Sequence, residues 1–185
     1  MCIRDRLTVF QRRPNWSVPL GNSAISEAEM TEIRTRYDEI FENCASTSSG
    51  FEHLPDRRGF WNVPEEERRA LWDELYDAPG FAILGRNFPE IFLDEAANRE
   101  LSEYVAERTR ARVDDPAIAD KLIPRDHGFA LQRLPLETNY FEAYNHDHVR
   151  LVDLSETPVE RFTNCLLYTS PSPRDLSTSR MPSSA

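Results

Sequence analysis

Two adjacent arginines, Arg12 and Arg13, follow the apolar run Leu7, Val9 and Phe10 in "LTVFQRRPNWSVPL". A guanidinium just beyond a strand of a dinucleotide-binding unit can grip a 2′-phosphate through bidentate hydrogen bonds. A solvated charge at a strand end is the plainer alternative. Arg133, in "LQRLPLE", sits between apolar residues, where partial burial is expected. Arginine keeps its charge when buried, so it can stabilise a developing anion, or simply pair with one of the many carboxylates. The "HDH" of His146 to His148 could turn two imidazoles to one side of a strand. Zinc sites usually need three or four protein ligands, and no further Cys or His lies nearby, so a solvated turn is expected. Glycines stand at 21, 50, 59, 80, 85 and 128, so no Gly-x-Gly occurs, and H-E-x-x-H, C-x-x-C and G-x-S-x-G are absent too. Neither a dinucleotide fingerprint nor a phosphate-binding loop is therefore encoded in this stretch.

The elements that must position these residues follow from periodicity. Leu7, Val9 and Phe10 predict a buried strand ending near Gln11, and Pro14 and Pro19 bracket an extended linker. Ser26 with Glu29 forms a capping box for a helix to about Asn43, its apolar residues Met30, Ile33, Tyr37, Ile40 and Phe41 recurring at helical spacing. "CASTSSGFEHLPDRRGFWN" has no period and is expected to be a loop. A second helix runs from Pro64 to the Pro79-Gly80 stop, with Leu71, Trp72, Leu75 and Tyr76 inward. A third spans about Asp94 to Val113, with Ala97, Leu101, Tyr104, Val105 and Arg108 along one side. Asp115 and Pro116 open a short fourth helix. After Pro124 come a short helix at about Asn139 to Asn145, the strand "VRLVDL" and a strand candidate "PVERFT".

Both termini fit translated sequencing adapter. Cys165 to Ser170 fit TGT CTC TTA TAC ACA TCT, the transposase end used in library preparation, and Pro171 to Asp175 and Ser179 to Ala185 continue the adapter in frame. "MCIRDR" fits the same end in the opposite orientation. Residues 1–6 and 165–185 are therefore expected to be non-native and are set aside from the fold. Among the three cysteines only Cys44 then remains, so no intrachain disulfide is possible. Without the flanks' four arginines and two aspartates, 22 basic and 32 acidic residues become 18 and 30, a net charge of −12. Such a balance offers no footprint for nucleic acid or an anionic membrane. No apolar run approaches the roughly 20 residues of a membrane span, and no signal peptide opens the chain. A cytoplasmic location is expected.

The stretches "LTVFQRRPNWSVPLGN", "EEERRALWDELYDAPGF", "DEAAN", "DDPAIADKLIPRDHGF" and "QRLPLETNYFEAYN", followed by "VRLVDLSETPVERFT", resemble Baeyer–Villiger monooxygenases of the flavin-containing monooxygenase class from Leu7 to about Thr163. The resemblance implies an α/β fragment. A mainly helical insertion, 21–124, would interrupt an incomplete Rossmann-type NADP-binding domain formed by 7–20 and 125–164, with both termini irregular. It implies FAD and NADP as cofactors, and a ketone and O2 as substrates. NADPH reduces FAD, oxygen adds to give a peroxyflavin, and attack on the ketone leads to an ester or lactone.

Arg133 falls at the family's active-site arginine, which stabilises the peroxyflavin and positions nicotinamide, and Arg12 at the arginine of the NADP 2′-phosphate. Gln132 replaces a common lysine and Arg13 a common threonine, so Arg13 is expected to supply the charge that Gln132 lacks. Phe81 and Ile83 fall among pocket-lining positions. The chain alone is expected to be inactive and to bind no flavin. An N- or S-oxygenating flavin enzyme and a stand-alone helical binding module are the alternatives.

Overall fold

The computed structural model describes residues 6–47 and 49–159. It divides into two compact units, one built from the chain on either side of the other. The smaller unit holds strand β1, Leu7–Gln11, and strand β4, Val149–Asp153, paired in parallel with Leu7 opposite Val149 and Gln11 opposite Asp153. β1 ends where expected, but it is not buried: Leu7 is 51% and Phe10 64% exposed. A two-stranded sheet cannot cover both of its faces. Of the "PVERFT" candidate, only Pro158 and Val159 are described, and neither is in a strand; the rest lies outside the described residues.

The larger unit, Pro14–Asn145, contains the helices. The first predicted helix is two: α1, Glu27–Thr35, and α2, Tyr37–Ser46, with Arg36 between them at φ −107° and ψ 10°. The Ser26 capping box is present, Ser26 N donating to Glu29 Oε2 at 2.7 Å and Glu29 N to Ser26 Oγ at 3.2 Å. Neither helix buries a residue, and Phe41 is 65% exposed, so the apolar spacing there does not mark a core face.

The core forms around α3, Glu65–Asp77, and α5, Glu95–Arg112. Trp72, Leu75 and Tyr76 from α3 meet Ala97, Leu101, Tyr104 and Val105 from α5. Asp94 caps α5 by accepting from Ala96 N at 2.8 Å, and Asp115 caps α6, Pro116–Leu122, by accepting from Ala117 N at 2.8 Å. The aperiodic stretch before α3 is not only loop. It carries a 3₁₀ turn at Phe60–Asn62 whose Phe60 is fully buried. Arg68, 7% exposed, donates to Glu100 from Nη2 (2.6 Å to Oε1, 2.8 Å to Oε2) and from Nε (3.0 Å to Oε1), and its guanidinium carbon lies 4.4 Å from the Phe60 ring centre. That one side chain ties α3, α5 and the 3₁₀ turn together.

Short helix α4, Ala82–Gly85, is fastened by Asn87, which is 1% exposed, accepts from Trp72 Nε1 at 3.1 Å and donates to the Ile83 carbonyl at 3.0 Å. Two-residue strands β2, Val18–Pro19, and β3, Leu136–Glu137, pair in parallel and bring the start of the unit to its end. The short helix expected at 139–145 is a 3₁₀ turn, Glu142–Asn145.

Candidate functional site

Arg133 lies two residues before Pro135 and the β3 pairing, and it is exposed, not partly buried as its apolar neighbours had implied. Leu134 takes the inward position at 6% exposure, which turns the flanking Arg133 outward. Among the described residues the Arg133 guanidinium makes no ion pair. Its main chain is held: the Arg133 carbonyl accepts from Asn15 Nδ2 at 2.9 Å, and Val18 N donates to the Pro135 carbonyl at 3.4 Å. Gln132 is exposed beside it.

The turn before Arg133 is fixed by α5. Asn98 donates to the carbonyls of Ile91 at 2.7 Å and Phe129 at 2.9 Å, while Phe129 N donates to Ser102 Oγ at 2.9 Å. Gly128 is required here, because a Cβ would collide with Asn98 Oδ1. Ala130 takes a left-handed conformation, φ 58°.

After β3, Arg112 at the end of α5 gathers three partners. It donates to Glu142 from Nε at 2.6 Å and Nη2 at 2.9 Å, and to the Tyr76 hydroxyl from Nη1 at 3.2 Å. It also forms an ion pair with Glu137 Oε1 at 2.8 Å. Burial alone would lower the Arg112 pKa, but its bonds to Glu142, Tyr76 and Glu137 raise it. The same guanidinium holds the Glu142 carboxyl below its ordinary range. Burial raises the pKa of the Tyr76 hydroxyl.

Arg12 and Arg13 are exposed at the end of β1 in the smaller unit, immediately after Gln11. Phe81 and Ile83 part company. Phe81 lines a cavity of about 770 Å³ with Phe51, His53, Leu54, Leu84 and Phe92, whereas Ile83, 1% exposed, packs into the helical core and is not among the lining residues. Burial first, and then the charge of Arg86, lowers the His53 pKa. Neither Gln132 nor Arg133 lines that cavity. His146 and His148 lie in a turn before β4, exposed, with rings stacked 5.3 Å apart, and among the described residues no cluster of His, Cys, Asp and Glu could hold a metal. No helix there is long and apolar enough to cross a membrane.

Sequence reasoning missed Asn15, Asn98, Ser102 and Arg112. Each is a common polar residue with at least one partner 27 to 118 residues away. The asparagine inside "RPNWSVP" was the one visible signal, since a polar residue between Pro14 and the apolar Trp16 has little local reason to be there.

No protein-family model matches the chain. It is 46% identical over 157 residues to the 2-oxo-Δ3-4,5,5-trimethylcyclopentenylacetyl-CoA monooxygenase of Pseudomonas putida, covering 85% of this chain and 29% of that protein. With the methyl acetate-forming acetone monooxygenase of Gordonia sp. (strain TY-5) it shares 37% over 158 residues, again 85% and 29%. A phenazine N-monooxygenase of Lysobacter antibioticus is 34% identical over 161 residues, 85% and 29%. The crystal structure of OTEMO in complex with FAD and NADP superposes with a TM-score of 0.82 at 45% identity, covering 86% of this chain and 30% of that one. The chain therefore spans about three-tenths of the length of the relatives it matches. Over 85% of its own length, this chain is a homologue of the Baeyer–Villiger monooxygenases.

Proposed function

We propose that these residues are part of an FAD- and NADPH-dependent monooxygenase that inserts one oxygen atom from O2 into a ketone, giving an ester or lactone. The observation that carries this is the 45% identity and 0.82 TM-score to OTEMO, a protein crystallised with FAD and NADP. In this reading, residues 7–20 and 125–164 belong to a Rossmann-type NADP-binding domain and 21–124 are a helical insertion within it. The parallel pairing of β1 with β4 supports an insertion between those strands, because parallel strands need a long crossover; the compact unit between them, Pro14–Asn145, is wider than 21–124.

The residues present fit NADP. Arg12 and Arg13, exposed directly after a parallel strand, would hold the 2′-phosphate by charge-assisted hydrogen bonds. Gln132, a neutral donor, is proposed as a further cofactor-binding residue. Arg133 would supply a fixed positive charge beside the nicotinamide; its guanidinium, unpaired among the described residues, is available for that. Phe81 would form part of an apolar substrate wall. FAD, when bound, supplies the oxygen-activating chemistry. No Gly-x-Gly turn for its diphosphate occurs in this sequence, so the chain alone is inactive in this reading. The parent enzyme would act in the cytoplasm.

The test is to amplify outward from the coding region for residues 7–163, express the whole gene and incubate it with NADPH, 18O2 and a panel of ketones. The expected result is ketone-dependent NADPH oxidation and one labelled oxygen in an ester product. N-oxygenation is a second reading, favoured by the phenazine N-monooxygenase relative. A labelled N-oxide from aromatic amines, with ketones inert, would select it.

A further inference from the structure

We propose that Asn15 is a positioning residue for Arg133, its side-chain amide tying the main chain beneath that guanidinium to His127. The proposal rests on the reading of Arg133 as the cation beside the nicotinamide. Arg133 is exposed and its guanidinium is unpaired among the described residues, so the main chain alone fixes the point at which this long side chain leaves the fold. The Arg133 carbonyl can only accept, so the Asn15 atom 2.9 Å away is the amide nitrogen. That leaves Asn15 Oδ1 facing His127 Nε2 at 3.3 Å.

His127 is itself anchored. Its ring nitrogen Nδ1 lies 2.7 Å from Asp126 Oδ1, its side chain is 7% exposed, and its carbonyl accepts from Trp16 Nε1 at 3.0 Å. Trp16 is 5% exposed and packs edge-on against Phe129, 6.1 Å between ring centres. The short segment 15–18 is thus laced to 127–136 at the Trp16, Asn15 and Val18 contacts, and only the Asn15 contact reaches Arg133 itself. A residue that merely stabilised the fold could sit anywhere along this seam. Asn15 is placed where the seam meets the proposed cation.

Asn15→Asp separates the roles in the full-length enzyme: it keeps the shape and the acceptor toward His127 but cannot donate to the Arg133 carbonyl. The expected outcome is a fall of about three- to tenfold in kcat/KM for NADPH, one hydrogen bond's worth, and a matching loss in NADP⁺ affinity by titration, with flavin content unchanged and thermal unfolding lowered only slightly. Added to Arg133→Lys, which alone should lower kcat/KM, Asn15→Asp should have little further effect, since both act through one guanidinium. Wild-type kinetics for Asn15→Asp, or a full additive loss in the double variant, overturns the proposal while leaving the Arg133 reading intact. If Arg133→Lys and Arg133→Ala are both fully active, the Arg133 reading fails and the proposal with it.

Discussion

Asn98 and Phe129 are joined across 31 residues by one hydrogen bond, Nδ2 to the main-chain carbonyl at 2.9 Å, and the same nitrogen also serves the carbonyl of Ile91 at 2.7 Å. Asn98 is 6% exposed and Phe129 fully buried, so no water replaces a lost donor easily. Asn98→Leu keeps the branched shape and strands both carbonyls. The expected cost is about 2–4 kcal/mol, measured by urea denaturation of the full-length protein followed at the tryptophans, because buried unsatisfied groups carry their whole desolvation penalty.

Ala130, at φ 58°, sits two residues before Gln132 in a conformation that side chains with a Cβ resist. Glycine removes roughly 1–2 kcal/mol of that strain and returns about 0.4–1 kcal/mol through a more flexible unfolded chain. Ala130→Gly should therefore raise stability by about 0.5–1 kcal/mol. A thermal melt showing destabilisation would mean that the alanine methyl is packing against the core it borders.

Arg112 gathers Glu137, Glu142 and Tyr76 at the end of α5, and Glu137 is only 8% exposed in its side chain. Arg112→Met leaves that carboxylate buried without its cation, a loss of about 3–5 kcal/mol. Arg112→Lys keeps the charge but not the fork, so it should recover only part of this. The cluster also sets an acid limit. Glu142, and Asp56 through its bond to Arg58, have folded pKa values held below their ordinary ones of 4.5 and 3.8. Depressed carboxyl groups contribute stability above the unfolded pKa and lose it as pH falls through the folded value. The melting temperature should thus drop as pH falls below about 4.5, and less steeply in Arg112→Met.

Much of the helical frame was legible because its signals are local. The Ser26 box and the Asp94 and Asp115 caps act within three residues, and the inward faces of α3 and α5 follow a 3.6-residue period. The break at Arg36 carries neither proline nor glycine, so nothing in the period announces it. Phe60 was hidden in an aperiodic stretch because a single buried aromatic has no period. Around Arg133 the residue type was readable, but its exposure was not: whether Leu134 or Arg133 turns inward depends on the β2–β3 register, set by residues 118 positions apart. The hydrogen-bonded asparagines share that character, since their partners are chosen by the fold.

The exposed pair Arg12 and Arg13 after β1 bears on cofactor choice. NADPH and NADH differ only by the 2′-phosphate, so a guanidinium touching that group is felt by one cofactor and not the other. Gln132 can donate a hydrogen bond but brings no charge. If Arg13 makes up that deficit, Arg13→Thr in the full-length enzyme should lower the NADPH-over-NADH ratio of kcat/KM by about tenfold or more, the worth of a charged hydrogen bond, with the NADH value nearly constant. Gln132→Lys added to Arg13→Thr should restore most of the preference by returning the missing positive charge. An unchanged ratio in Arg13→Thr would assign the phosphate to Arg12 alone.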